Sequence, residues 1–237
     1  MISSEMTVRE VAMQVPQSTR LFETLQIDYC CGGNRPLTQA CATAGVEVDN
    51  VMQQLSALEK SSDTATLDFQ NLSLKELITH ILETHHVFTK SEIDRIQALS
   101  TKVIGVHGVN HPELLTVGEL VQRLCTDLAP HMFKEEQVLF PYIEKMEQAE
   151  LKNQPVPFAP FGTVKNPIRM MMMEHDTAGD ILRKLRAVTA DYQVPPDGCI
   201  SFQTLYQALE GLEKDLHQHI HLENNILFPK AAELESR

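Results

Sequence analysis

Tryptophan is absent from these 237 residues, while histidine occurs ten times and becomes the conspicuous side chain. Positive charge is scarce: 20 Lys and Arg stand against 32 Asp and Glu, a net charge of −12. An acidic surface argues against nucleic acid or an anionic membrane as the main partner. No apolar run reaches the roughly 18 residues of a membrane span. The opening Met1-Ile-Ser-Ser-Glu-Met lacks the charged and apolar regions of a secretion signal. The five cysteines are an odd number with no even disulfide framework, so reduced thiols in a cytoplasm are expected. Strand-like alternation of β-branched residues is missing as well. Leu, Ala, Glu, Gln and Met dominate instead, and the chain reads as all-α.

Two domains are expected, 1–60 and 72–233. In the first, Thr7 to Glu10 is a capping box opening one helix, and a second runs near Ser18–Leu25. Cys30-Cys31-Gly32-Gly33 makes a turn, and further helices fit Leu37–Ala44 and Val48–Lys60. The polar run Ser61–Thr66 reads as a linker. Four longer helices follow. Ser73 to Glu76 caps the first, which extends to about Val103, and Gly105–Pro112 is a loop. Thr116 to Glu119 caps the second, where Pro130 is placed to kink the helix. The proline-bearing segment 153–166 is a long loop, Pro167 suits the first turn of the third helix, and Pro195 to Gly198 separates the third from the fourth.

One phrase occurs twice: His131-Met-Phe-Lys-Glu135-Glu-Gln-Val-Leu139-Phe140-Pro141 and His219-Ile-His-Leu-Glu223-Asn-Asn-Ile-Leu227-Phe228-Pro229. Both read H-x3-E-x3-L-F-P, and positions four apart share one helix face. His131 to His219 spans 88 residues and His86 to His175 spans 89, so the four helices repeat as two helix–loop–helix units. The apolar stripe decides which side chains point inward. In the second helix it reads Leu120, Val121, Leu124, Leu128, His131, Glu135, Val138, Leu139. In the third it reads Ile168, Met171, Met172, His175, Ala178, Leu182, Leu185, with two of the four residues Met170–Met173 as core filling. In the fourth it reads Leu205, Leu209, Leu212, Leu216, His219, Glu223, Ile226, Leu227. Buried carboxylates without partners cost several kcal/mol, and a metal ion relieves that cost. A single H-x3-E pair is more often a surface contact than a ligand pair. Two with the same suffix, each preceded by a helix with an inward histidine, point to a buried metal site inside a four-helix bundle. Imidazole with carboxylate suits iron or manganese and admits zinc. In the first helix periodicity favours His85, with His86 at the stripe's edge.

The adjacent thiols of Cys30 and Cys31 are a second chemical signal. Beside flexible glycines they read as exposed and reactive, and a depressed pKa would favour the thiolate that binds metal or nitric oxide. A disulfide between neighbours would be strained. Cys41, Cys125 and Cys199 read as structural or incidental.

Asp28-Tyr-Cys-Cys-Gly-Gly33, the two repeated phrases and Glu174-His-Asp-Thr-Ala-Gly179 resemble the repair-of-iron-centres family, the YtfE/ScdA/DnrN type of di-iron protein, across nearly the whole chain. The resemblance implies a hemerythrin-like antiparallel four-helix bundle behind a small N-terminal helical domain. It implies two non-haem iron ions, oxo- and carboxylate-bridged, held by His86, His131, Glu135, His175, His219 and Glu223. This ligand set favours His86 where periodicity favours His85. Cys30 and Cys31 would relay nitrosyl groups or iron, His107 would stand near the centre as a further ligand or ligand support, and Glu174 would line access to it. The implied task is repair of iron–sulfur clusters damaged by nitrosative or oxidative stress. Iron donation and reduction of nitric oxide both fit the residues, so the chain's standing as an enzyme stays open, as does a homodimer. Two rivals differ in what they require: an oxygen or nitric oxide binding or sensing bundle does not need the cysteines, and a scaffold with a structural metal is redox-silent.

Overall fold

The structure, a computed structural model, describes residues 2–60 and 68–237. The expected linker Ser61–Thr66 falls outside the described residues. Four short helices come first: α1 (Val8–Gln14), α2 (Ser18–Thr24), α3 (Leu37–Ala44) and α4 (Val48–Lys60). The capping box of α1 forms as its sequence suggests, with the Glu10 amide donating to the Thr7 hydroxyl at 3.2 Å and the Thr7 amide donating to Glu10 at 2.8 Å. Val8, Val11, Phe22, Ile27, Tyr29, Leu37, Val51 and Leu55 close a small core of their own.

Four long helices make the bundle, and three of them are interrupted by a π turn. The helix α5 joins an α-helical stretch Leu74–His80, a π turn Ile81–His86 and an α-helical stretch Val87–His107. The helix α6 joins Glu113–Lys134, a π turn Glu135–Leu139 and Phe140–Leu151. The helix α7 is uninterrupted over Lys165–Val188. The helix α8 joins Ile200–Leu222, a π turn Glu223–Leu227 and Phe228–Glu235. In sequence-adjacent pairs α5 packs on α6 and α6 on α7, while α8 closes back on α5. No helix among the described residues is long and apolar enough to cross a membrane.

Two expected boundaries move. The helix α5 runs on to His107, past Val103, and α6 begins at Glu113, three residues before the expected cap at Thr116. Leu114 and Val117 are fully buried, so their packing extends α6 toward its N-terminus and draws the Thr116 to Glu119 motif inside it. Pro130 lies within α6, but the departure from α-helical geometry comes five residues later, at Glu135.

The bundle interior consists of two apolar layers. One holds Leu124 and Leu128 of α6, Ala178 and Leu182 of α7, and Leu212 and Leu216 of α8. The other holds Ile78 and Ile81 of α5, Leu139 and Phe140 of α6, Met171 of α7, and Ile226 and Leu227 of α8. The stretch between these layers carries His86, His131, Glu135, His175, His219 and Glu223. Two expected core positions lie outside it. Val138 (44% exposed) sits within the second π turn, and Met172 (41% exposed) falls off the edge of the α7 stripe, leaving Met171 as the one buried methionine of its run.

Candidate metal centre

The π turns explain how the ligand-type residues converge. A π turn inserts one extra residue and resets the phase of the side chains beyond it. In α5 the π turn Ile81–His86 ends on His85 (3% exposed) and His86 (1% exposed), both buried. In α6 and α8 the turn begins on the glutamate itself. The Phe140 amide donates to the Glu135 carbonyl, and the Phe228 amide donates to the Glu223 carbonyl, five residues back in each case. The shared L-F-P suffix belongs to this device. Leu139 and Leu227 fill the core, Phe140 packs on the His86 ring at 5.8 Å, and Phe228 stacks on the His175 ring at 6.1 Å. Pro141 and Pro229 have no N–H to continue an α-helical ladder, which frees carbonyls in the turns. The Asn225 carbonyl, four residues before Pro229, accepts from the Arg9 guanidinium at 3.1 Å.

Two groups of four buried residues could each hold a cation, with ligand atoms all within 4.8 Å of one another: His86, Glu135, His219, Glu223, and His131, Glu135, His175, Glu223. Both glutamates belong to both groups. Glu135 directs Oε2 to His86 Nε2 and Oε1 to His131 Nε2, each at 3.4 Å. Glu223 directs Oε1 to His219 Nε2 and Oε2 to His175 Nε2, each at 3.1 Å. His131 and His175 bring their Nε2 atoms to 3.1 Å of each other.

The rear nitrogens are held less evenly. His86 Nδ1 meets Glu136 at 2.7 Å, His131 Nδ1 meets Glu174 at 2.8 Å, and His175 Nδ1 meets the Asn224 side-chain oxygen at 2.9 Å. Lys90 and Lys134 in turn pair with Glu136 and Glu174. His219 Nδ1 is buried with no hydrogen-bond partner. Glu174 is therefore tied to His131, and His85 pairs with Asp215 at 2.9 Å and stays outside both groups. His107 lies 21 residues beyond His86, about 30 Å along the helix; it packs on Phe202, far from the centre, contrary to the expected nearby role.

The electrostatics fit a cation. Glu135 and Glu223 are fully buried, and both Glu135 oxygens, Glu223 Oε2 and His86 Nε2 lack hydrogen-bond partners. Burial and the neighbouring Glu223 charge push the Glu135 carboxyl well above its usual range. Burial also opposes ionisation of Glu223, but His219 and His175 outweigh it and hold that carboxyl low. His131 is lowered to about 4, first by burial and then by His175. Four imidazoles and two carboxylates with orphaned inward atoms form a donor set for hard-to-borderline divalent ions such as ferrous iron.

The cysteines lie against this centre. Asp28 Oδ1 accepts from the amides of Cys30, Cys31 and Gly32 at 3.0 to 3.2 Å and fixes the turn. A Cβ on Gly33 would come within 2.6 Å of the Tyr29 carbonyl oxygen, so the turn needs glycine there. Both thiols are free. Cys30 is buried, contrary to the expectation of exposure, and its S–H faces the Cys31 sulfur at 3.8 Å. That contact lowers the Cys31 thiol and, with burial, raises the Cys30 thiol. Cys31 Sγ lies 3.7 Å from the His175 carbonyl oxygen.

A helical bundle whose interior layer is built of paired His/Glu groups defines a hemerythrin-like, iron-binding class of protein. The chain belongs to that family: residues 77–231 match the model of the hemerythrin HHE cation binding domain, and residues 4–59 match a domain of unknown function, DUF542. Similarity extends along nearly the whole chain to proteins named for iron–sulfur cluster repair. The ScdA protein of Staphylococcus epidermidis is 28% identical over 234 residues, 98% of this chain and 100% of the relative. The YtfE protein of Salmonella schwarzengrund is 32% identical over 224 residues, 94% of each. A probable iron–sulfur cluster repair protein of Haemophilus influenzae is 30% identical over 228 residues, 96% of each.

Proposed function

We propose that this protein repairs iron–sulfur clusters damaged by nitrosative or oxidative stress, acting through two irons held in its bundle. The observation that carries the reading is the pair of buried groups that share Glu135 and Glu223, each carboxylate offering one oxygen to either group. His86 and His219 would hold one iron, His131 and His175 the other, and the two glutamates would bridge them. Bound iron would supply the cargo for an emptied cluster, or two electrons that, with two protons, would turn two molecules of nitric oxide into one nitrous oxide and one water. Glu136, Glu174 and Asn224 orient three of the imidazoles. Cys30 and Cys31, with sulfurs 3.8 Å apart and Cys31 Sγ against the His175 carbonyl, would pass a nitrosyl group or iron between the turn and the centre. The domains 1–60 and 72–233 divide these roles, and the setting is the cytoplasm, with iron–sulfur proteins as clients.

The test is to purify the chain without oxygen, count iron per chain, then add nitric oxide and follow nitrous oxide. Two irons per chain with nitrous oxide formed supports both uses, and two irons without it leaves donation. A variant lacking both Cys30 and Cys31, run alongside, separates bundle chemistry from relay. Glu135→Leu or Glu223→Leu should abolish the di-iron spectrum, and two irons retained in either variant would remove the proposed site.

A further inference from the structure

We propose that the iron between His86 and His219 is the one the protein gives up, and that it leaves past His85 and His80 into the cavity between the N-terminal helices and the bundle. The inference rests on the donor reading above. Its first ground is the uneven support of the four imidazoles. His86, His131 and His175 each have an oxygen within 2.9 Å of Nδ1, whereas His219 Nδ1 is buried and unpartnered. An oxygen behind a ligand histidine fixes its ring and raises its basicity, so the imidazole without one holds metal most weakly. The internal repeat shows why His219 differs. Glu174, the residue before His175, supports His131; the corresponding residue before His86 is His85, which supports nothing in the centre.

The second ground is what His85 does instead. Its ring stacks on His219 at 5.5 Å with planes 8° apart, His219 lies 4.9 Å from His86, and His80 stands 5.6 Å beyond His85. Four imidazoles thus run in file from the centre outward. The last two, His85 and His80, line a cavity of about 1020 Å³. Exposed Arg20, Gln54 and Ala57 stand at its rim. Asp215 holds His85 Nδ1 at 2.9 Å, which leaves Nε2 as the free ligand atom, and its own Oδ2 is buried and unpartnered. An uncompensated carboxylate beside an oriented imidazole favours a divalent cation in passage. The Thr84 hydroxyl lies 3.4 Å from His80 Nδ1 and sets that ring in the same manner. The ion would move as ferrous iron: its bonds to His86, His219, Glu135 and Glu223 would break as bonds to the free nitrogens of His85 and then His80 form, with no electron transferred.

The full chain, loaded with ferrous iron without oxygen, is mixed with ferrozine and the coloured complex is followed in time. The wild-type protein should release iron in a fast and a slow phase of one ion each. His85→Phe and His80→Phe should each slow the fast phase at least ten-fold, with two irons still bound at the start and the slow phase unchanged. A fast phase that is unaltered in both variants overturns the path, and so does a fall to one iron in His85→Phe, which would make His85 a ligand. If His85→Phe does not fold, the half-buried His80 decides alone. A wild-type chain that binds no iron defeats the donor reading itself, a separate result.

Discussion

Glu135 and Glu223 are wholly buried, and of their four carboxylate oxygens only Glu223 Oε1 has a hydrogen-bond partner, His219 Nε2 at 3.1 Å. Burial and the Glu223 charge disfavour ionisation of Glu135, while His219 and His175 favour it at Glu223. A cleaner titration sits one turn away. His221, buried beside the Asn225 amide, is lowered to about 4, first by burial. The unfolded chain takes up this proton near the ordinary histidine value of 6.5, before the folded chain does. The contribution of His221 is thus complete above pH 6.5, is lost as pH falls toward 4, and is constant below that. At pH 5 the loss comes to about 2 kcal/mol. In urea melts of the iron-free protein, His221→Gln should narrow the stability gap between pH 7 and pH 5 by about that amount. An unchanged gap would mean that His221 is not held neutral.

At the scale of elements, the π turns decide what could be read in advance. The repeated H-x3-E-x3-L-F-P phrase sets His131 with Glu135 and His219 with Glu223 on one helix face because both turns begin at the glutamate, after the pair. In α5 the turn Ile81–His86 precedes and includes the histidines, so a constant period selects His85 and leaves His86 at the edge. Val138 is misplaced for the same reason. Asn224 and Asn225 carry no periodic signal, since a residue that supports a ligand or docks a neighbouring domain is defined by its partner. Pro130 is placed by the sequence to kink α6, yet the turn lies beyond it, at Glu135–Leu139. Its place in the interior of an exposed helix face removes one backbone hydrogen bond, an arrangement that costs up to about 3 kcal/mol. Pro130→Ala should therefore stabilise the protein by about 1–3 kcal/mol in thermal or urea melts and leave the iron count unchanged. Lost iron would show that Pro130, and not the Pro141 end of the phrase, sets the turn at Glu135.

Across the whole molecule, the second phrase serves the metal centre on one side and the N-terminal helices on the other. Asn224 faces inward to His175, while the Asn225 amide donates to the Tyr29 carbonyl at 3.1 Å and the Asn225 carbonyl, freed by Pro229, accepts from Arg9. Glu23 pairs with His217 at 3.0 Å, and Asp28 meets Arg183 at 3.6 Å. These contacts bracket the turn that carries Cys30 and Cys31, so the cysteines are held against α7 by α8. Asn225→Ala removes the donor to Tyr29 and the contact to His221 in one step, inside the protein, where an unmet hydrogen bond costs about 1–3 kcal/mol. The loss falls on the docking of the turn, since Glu223 and His219 keep their own packing. Opening of the turn should become more populated by roughly five- to a hundred-fold. Iodoacetamide should then modify Cys31 faster by a similar factor while the iron content is unchanged. If alkylation keeps its wild-type rate, the Asn225 side chain does not hold the cysteine turn, and the contacts of Arg9, Glu23 and Asp28 to the bundle suffice.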